Sequence, residues 1–327
     1  MLQNKTALQN KKNLLAFSAG VDSSALFFIL LENSITFDIA IVDYGKRQAS
    51  KEEVRYAKQL ATMHNLKCHV LNAKPIDSNF EANARTIRYD FFESLIEEFT
   101  YENLLTAHHL GDRFEWMLMQ FCKGAGCYEL SGMKAIEKRQ NYTLLRPLLH
   151  LDKQELLEYL HAQKIHYFED SSNKDEKYKR NEFRHQHTKP LLQKYLKGIK
   201  KSFEYMDEDI SHFVEDIELK TINKLAYFKS SKNRRSDTIA IDRYLKSKGH
   251  LITANEKELL KSQETVVLGR KYLVAKSKEY FFIAPFTKPN TMSKEFKEKM
   301  RLLKIEPKLR GYLAEDSEAL ALVSELL

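Results

Sequence analysis

Ser18-Ala19-Gly20-Val21-Asp22-Ser23-Ser24 follows the apolar run Leu14-Leu15-Ala16-Phe17 and precedes a helical pattern. Small side chains in a strand-to-helix turn let backbone N–H groups come close to an anion, and the helix start adds a partial positive charge. The serine hydroxyls can donate further hydrogen bonds. Asp22 alone repels phosphate, but it is a good ligand for the magnesium ion that accompanies a nucleotide's phosphates. Two other phosphate signatures are missing. No Gly-x-x-x-x-Gly-Lys-Ser/Thr stretch occurs, and Gly124-Ala125-Gly126 completes no dinucleotide fingerprint because Glu129 stands at the third glycine position.

Further clusters carry chemistry. Arg85 and Arg88, in Asn83-Ala84-Arg85-Thr86-Ile87-Arg88-Tyr89, are three apart and share a helix face. His108-His109-Leu110-Gly111-Asp112-Arg113-Phe114-Glu115 pairs two histidines with two carboxylates where a strand feeds a helix. Glu169-Asp170-Ser171-Ser172-Asn173-Lys174-Asp175 continues through Tyr178, Arg180, Asn181 and Arg184. Guanidinium groups suit forked recognition of phosphate or of a base edge. Each cluster alone reads as a solvated helix face or a structural turn. Their joint occurrence at the ends of predicted strands or helices, where an open α/β sheet places its site, argues for one shared site.

The elements that must hold these residues alternate. Leu14 to Phe17, Phe37 to Val42, Lys67 to Leu71 and Asn103 to Ala107 are the candidate strands. Ser23 to Leu31, Ser50 to His64 and Asn83 to Phe99 carry apolar residues at helical spacing between them. Repeated βα units of this kind predict an α/β fold, an open parallel sheet flanked by helices. A further strand at Tyr142 to Leu145 leads to Pro147, and Asp152 with Glu155 forms a capping box that opens a helix through His161. Leu191 to Leu225 reads as helix, and Lys229 to Ser236 as a loop carrying Lys229, Lys232, Arg234 and Arg235. Alternation in Thr265 to Pro285 predicts a second, smaller α/β unit. The expected division is a catalytic domain over 1–192, a helical linker over 193–236 and a small C-terminal domain over 237–327.

Composition narrows the classes. A chain of 327 residues with 43% hydrophobic composition can bury more than one core. The polar start and the short apolar run Ala25 to Leu31 predict a cytoplasmic chain with no membrane span. Cys68, Cys122 and Cys127 lack Cys-x-x-Cys spacing and are expected as reduced thiols packed in the interior. Net charge +8 and a pI near 9.0 favour a polyanionic partner.

The Ser18 to Ser23 loop resembles the pyrophosphate loop, SGGxDS, of the PP-loop superfamily, whose members split ATP into AMP and pyrophosphate. Taken with the other segments, the chain resembles the tRNA(Ile)-lysidine synthetases. Val42-Asp43-Tyr44-Gly45-Lys46-Arg47, the ARxxRY helix, the HHxxDxxE turn and Arg146-Pro147-Leu148-Leu149 all have counterparts there, and Glu169 to Arg184 fits EDxSNxDxxYxRNxxR throughout. Four positions depart from the family. Ala19 stands where glycine is usual, a replacement that requires negative φ to be free of strain. Gly111 replaces the first of two adjacent acids, and Arg113 and Trp116 replace Gln and Thr.

The resemblance implies an enzyme that adenylates the ring carbonyl at position 2 of a wobble cytidine in tRNA(Ile) with a CAU anticodon, then joins free L-lysine there. ATP and Mg2+ are the expected cofactors, and a homodimer is left open. Ser18, Ala19, Gly20, Val21, Asp22, Ser23 and Ser24 fall to the phosphates. Asp22, Arg88, Asp112 and Arg180 fall to catalysis, with Asp22 and Asp112 near metal. Arg85, His108, His109, Asn181 and Arg184 fall to tRNA or base contact, and Glu115 to the lysine ammonium. The basic second domain is expected to touch the tRNA body. The competing readings are a tRNA thiolation enzyme using the same loop and a non-catalytic ATP- or RNA-binding module.

Overall fold

The computed structural model describes residues 1–45, 48–76, 78–169, 179–287 and 292–327, with the backbone alone at 48, 49 and 179. Lys46, Arg47, Asp170 to Asp175 and Tyr178, singled out above, lie outside the described residues. The chain divides into two units, Met1–Glu208 and Asp209–Leu327.

The first unit runs α1 (Lys5–Leu8), β1 (Asn13–Ala16), α2 (Val21–Glu32), β2 (Phe37–Asp43), α3 (Gln48–Met63), β3 (Cys68–Asn72), α4 (Phe80–Phe99) and β4 (Asn103–Leu105). It continues through α5 (Leu110–Phe121), α6 (Cys127–Ser131), β5 (Ile136–Lys138), β6 (Thr143–Leu145), α7 (Lys153–Ala162) and α8 (Lys179–Phe183). A π-helical turn over Arg184–Thr188 leads into α9 (Lys189–Phe213), whose last residues belong to the second unit. The six-stranded sheet has the order β3-β2-β1-β4-β6-β5, parallel except for the β5–β6 pair.

The central strands are apolar runs because both faces are covered. Leu15, Ile39, Leu105 and Leu145 pack with residues of α2, α3 and α7, whereas Leu14, Ala40, Leu104 and Leu144 pack with Phe92, Leu95 and Ile96 of α4. β1 lies between β2 and β4. The chain leaves β1 toward one side of the sheet and resumes at β4 on the other, so a crevice opens beyond their carboxyl ends. The predicted capping box opens α7: Gln154 N–H donates to Asp152 Oδ2 at 3.2 Å, and Asp152 N–H to Glu155 Oε2 at 2.7 Å.

The second unit departs from its expectation. The helix predicted to reach Leu225 ends at Phe213, and β7 (Lys220–Ile222) and β8 (Leu225–Lys229) form an antiparallel hairpin instead. Asn223, at φ 50°, supplies the left-handed turn residue between them. Then come α10 (Arg234–Ser247), α11 (Ala254–Ser262), β9 (Thr265–Leu268), β10 (Tyr272–Ser277), β11 (Tyr280–Pro285), α12 (Lys294–Leu302), α13 (Arg310–Glu315) and α14 (Ser317–Leu326). The sheet order is β7-β8-β11-β10-β9, all antiparallel. Phe281 and Ile283 pack with Ile241 and Leu245 of α10, while Phe282 and Ala284 pack with Met300 and Leu313 on the other face.

Two more expectations change. The loop expected over Lys229 to Ser236 is shorter: Lys229 ends β8 and pairs with Glu279 at 2.9 Å, and Arg234 and Arg235 belong to the first turn of α10, where the Arg234 guanidinium lies 4.9 Å from the Phe281 ring centroid and donates to the carbonyls of Leu260 and Gln263. Cys122 and Cys127 are exposed, on and beyond the end of α5, and only Cys68 is partly covered.

Candidate active site

The loop after β1 folds on its own polar groups. Ser18 N–H donates to Ser23 Oγ at 3.2 Å, the two hydroxyls stand 3.1 Å apart, and Ser23 Oγ donates to Gly20 O at 3.2 Å. No side chain caps α2. The N–H groups of Val21, Asp22 and Ser23 therefore face outward as helix starts do, with the dipole's positive end behind them. Ser24 stands apart from this cradle, since its N–H donates to Gly20 O at 2.9 Å and its fully buried hydroxyl has no partner.

Ala19 adopts φ 57°, left-handed despite its Cβ, so the negative φ expected of it is not what the chain adopts. The strain, about 1 kcal/mol, is held by packing. Ala19 is fully buried, its carbonyl accepts from Phe168 N–H at 2.9 Å, and Gly20 forms a parallel bridge with Phe168.

Asp22 reaches across the crevice. Its Oδ2 lies 3.9 Å from both His109 Nε2 and Lys153 Nζ, while its Oδ1 is buried without a hydrogen-bond partner. His109 caps α5: Gly111 N–H donates to its Nδ1 at 3.0 Å, so a neutral ring carries its proton on Nε2. That nitrogen stands 3.6 Å from Asp112 Oδ2, between the two carboxylates. Gly111 leaves room for the His109 ring, since a Cβ there would come within 2.7 Å of it. An acid at that position would displace the imidazole.

His108 accepts or donates at 2.9 Å to Thr106 Oγ1, and burial pushes its pKa down to about 4, against the pull of Asp112. It is neutral near pH 7. Burial would raise the Asp112 carboxyl, but His109, His108 and the guanidiniums of Arg180 and Arg184 outweigh it and hold the group well below the usual carboxylate range.

Asp112 and Glu115, one turn apart on α5, face Arg180 and Arg184, one turn apart across the α8 boundary. Arg180 Nε donates to Glu115 Oε1, and Arg184 Nε to Glu115 Oε2 at 2.8 Å. Their Nη2 atoms lie 3.4 and 3.2 Å from Asp112 Oδ1. Arg180 also reaches Glu81 at the start of α4, 3.5 Å away. Asn181 is half-buried within the same turn. Tyr44 Oη donates to Ala84 O at 3.0 Å; burial raises its pKa and the nearby Arg88 guanidinium draws it back. Exposed Arg85 lies over the Tyr89 ring at 4.8 Å, and its charge bears on His108.

The structure thus draws Asp22, His108, His109, Asp112, Glu115, Arg180 and Arg184 together, with Arg85 and Arg88 along α4. Glu81 and Lys153 join the cluster without having been expected. Lys153 sits at the start of α7, where the helix dipole disfavours a cation, and that misplacement was its only signal.

The PP-loop domain family matches residues 1–191. The tRNA(Ile)-lysidine synthase of Wolinella succinogenes is 44% identical over 95% of this chain and 95% of its own length. Those of Helicobacter pylori and Campylobacter jejuni are 41% and 42% identical, over 94% of this chain and 90% and 93% of theirs. The U34-tRNA thiolase NcsA of Methanococcus maripaludis shares the fold, with TM-score 0.53 and 16% identity, over 66% of this chain and 78% of that one. This chain belongs to the PP-loop family and, within it, to the tRNA(Ile)-lysidine synthases.

Proposed function

We propose that this chain uses ATP to join free lysine to carbon 2 of the wobble cytidine of tRNA(Ile) bearing a CAU anticodon, in the cytoplasm, releasing AMP and pyrophosphate. The observation that carries the reading is the uncapped start of α2, with Asp22 beside it, set against the His109–Asp112 turn at the sheet's switch point.

In the first half-reaction the cytidine's C2 oxygen attacks the α-phosphorus of ATP and pyrophosphate leaves. The N–H groups of Val21, Asp22 and Ser23 and the Ser18 hydroxyl bind the departing phosphates as charge grows on them. Among the described residues no three His, Cys, Asp or Glu converge on a metal position. Magnesium bound with ATP needs only one or two carboxylates besides phosphate oxygens and water. The unpartnered buried Oδ1 of Asp22 fits that demand, with Asp112 as the second candidate. When bound, the ion neutralises phosphate charge.

In the second half-reaction the lysine amine attacks C2, the C2–O bond breaks, and AMP departs with the oxygen. The ammonium must first lose a proton; Asp112 is the acceptor we assign, although the positive groups that keep it ionised also make it a weak base, so it serves as a relay that passes the proton on to solvent. Arg88 and Arg180 bind phosphate or the base edge. Arg85, His108, His109, Asn181 and Arg184 surround the base; His108, neutral, can offer it a hydrogen bond. Glu115 takes a different part from the lysine ligand first expected. Both its oxygens accept guanidinium N–H groups, so its role is to hold Arg180 and Arg184 in place. Lys232 and Arg235 of the second unit contact the tRNA body, and removing them should weaken binding with a shallower salt slope.

The test mixes the protein, a CAU transcript, ATP, magnesium and labelled lysine. Label should become acid-stably attached to RNA only with ATP, and a wobble-guanosine transcript should stay unlabelled. Asp22→Ala should stop pyrophosphate release; near-normal release would refute the role given to the loop.

A further inference from the structure

Trp116 is the single tryptophan of the chain, and it is 44% exposed. It lies on α5 one turn beyond Asp112, a helical step of about 5.4 Å. Its neighbour in sequence, Glu115, anchors the two arginines of the site.

A single exposed aromatic needs no explanation by itself. This one is braced. Gly132, at φ 67° and ψ −120°, closes α6 against the indole: a Cβ there would stand 2.6 Å from Trp116 Cδ1 and 3.3 Å from Nε1. Only glycine permits both that backbone and that approach. One side of the ring is therefore fixed while much of it remains in water. Beyond Gly132 the chain reaches Lys134, whose Nζ lies 5.3 Å from the Tyr128 ring centroid and whose carbonyl accepts from Arg146 Nη1 at 2.7 Å. Arg146 in turn bears electrostatically on His108. The loop bracing the indole is thus tied to the edge of the site and carries cationic charge.

A half-open aromatic packed against Gly132, one helical turn from Asp112, suits the π-face of an unpaired base. We propose that Trp116 is a stacking platform for the anticodon-loop nucleotide that flanks the reacting cytidine. The assignment rests on the reading of the substrate given above.

Because the chain has one tryptophan, its fluorescence reports this position alone. Titrating the full-length protein with a CAU anticodon stem-loop should quench the indole, and the quench should saturate with the same Kd as a filter-binding assay. Trp116→Ala should weaken stem-loop binding roughly 5- to 150-fold. That loss should be the same at low and high salt, unlike the loss of a phosphate contact. Trp116→Phe should retain most of the affinity and Trp116→Leu should not, since leucine supplies apolar bulk without a π-face. The Phe–Leu pair decides the matter if the alanine variant fails to fold.

An indole that RNA leaves unquenched, or equal affinities for the Phe and Leu variants, would overturn the proposal. So would quenching that follows protein concentration without RNA, which would place a second copy of the chain on the ring. Failed lysine transfer by wild-type protein with a normal RNA quench would count against the reaction and leave the platform standing. Normal transfer with no quench would count against the platform alone.

Discussion

Glu115 accepts a hydrogen bond from Arg184 Nε at 2.8 Å although its side chain is only 2% exposed. A carboxylate so deeply buried is tolerable only when paired, and its second oxygen is taken by Arg180. Two guanidiniums are thereby oriented by one buried acid, with Asp112 completing the charge balance.

Replacing Glu115 with Gln keeps the shape and removes the charge that orients both arginines. Lysine transfer should lose about tenfold or more in kcat, while the KM for lysine stays unchanged. Steady-state kinetics with lysine as the varied substrate checks this. A raised KM at unchanged kcat would return Glu115 to the lysine pocket.

Gly20 offers a cleaner separation of fold from function. Its φ is −77°, and a Cβ built on it would meet Ser18 Oγ at 3.5 Å and Phe168 O at 3.9 Å, both ordinary contacts. The protein's own packing therefore does not demand glycine, but a phosphate resting on the α2 start would. Gly20→Ala should melt within about 2 °C of wild type yet lose most ATP–pyrophosphate exchange. Unchanged exchange would remove the anion from this turn.

How far these arrangements were visible beforehand differs by element. β1, β2 and β4 are apolar runs buried on both faces, and such runs followed by helical spacing locate a parallel sheet without tertiary knowledge. The crevice residues follow, because Ser18 to Asp22 and His108 to Asp112 end adjacent strands. The hairpin of β7 and β8 was obscured because its apolar residues also satisfy helical spacing, and Asn223 as a turn signal was outweighed by the helix before it. The pairing of Glu115 with Arg180 and Arg184 and the bracing of Trp116 by Gly132 join residues distant in sequence, which local pattern does not reveal.

Ala19 tests whether backbone strain serves the loop. At φ 57° its Cβ costs about 1 kcal/mol relative to glycine in the same conformation. Glycine would remove that strain while adding unfolded-state entropy of similar size. Ala19→Gly should thus melt no lower than wild type and keep its pyrophosphate exchange. Ala19→Val should melt well below it, since a β-branched residue resists left-handed φ and the position is fully buried. Thermal melts of the three proteins, run side by side, would expose an error if valine proved harmless.

His108 predicts how stability responds to acid. Burial lowers its pKa from 6.5 to about 4 in the folded protein, so the folded state refuses a proton that the unfolded chain accepts. Stability from this group is complete above pH 6.5, declines as pH falls toward 4, and changes no further below that. The loss should be of the order of 1–3 kcal/mol across that interval. Asp112 acts at lower pH with the same sign: its folded carboxyl is held below the unfolded value, so its contribution is present above about pH 4 and is lost as pH falls further. Urea unfolding of wild type between pH 7 and 4 should show the midpoint falling. His108→Gln, which cannot titrate, should show a flatter profile over the same interval while retaining the steep fall below it. Parallel profiles for the two proteins would mean that His108 is protonated in the folded state, and its part as a neutral partner of the base would fail with it.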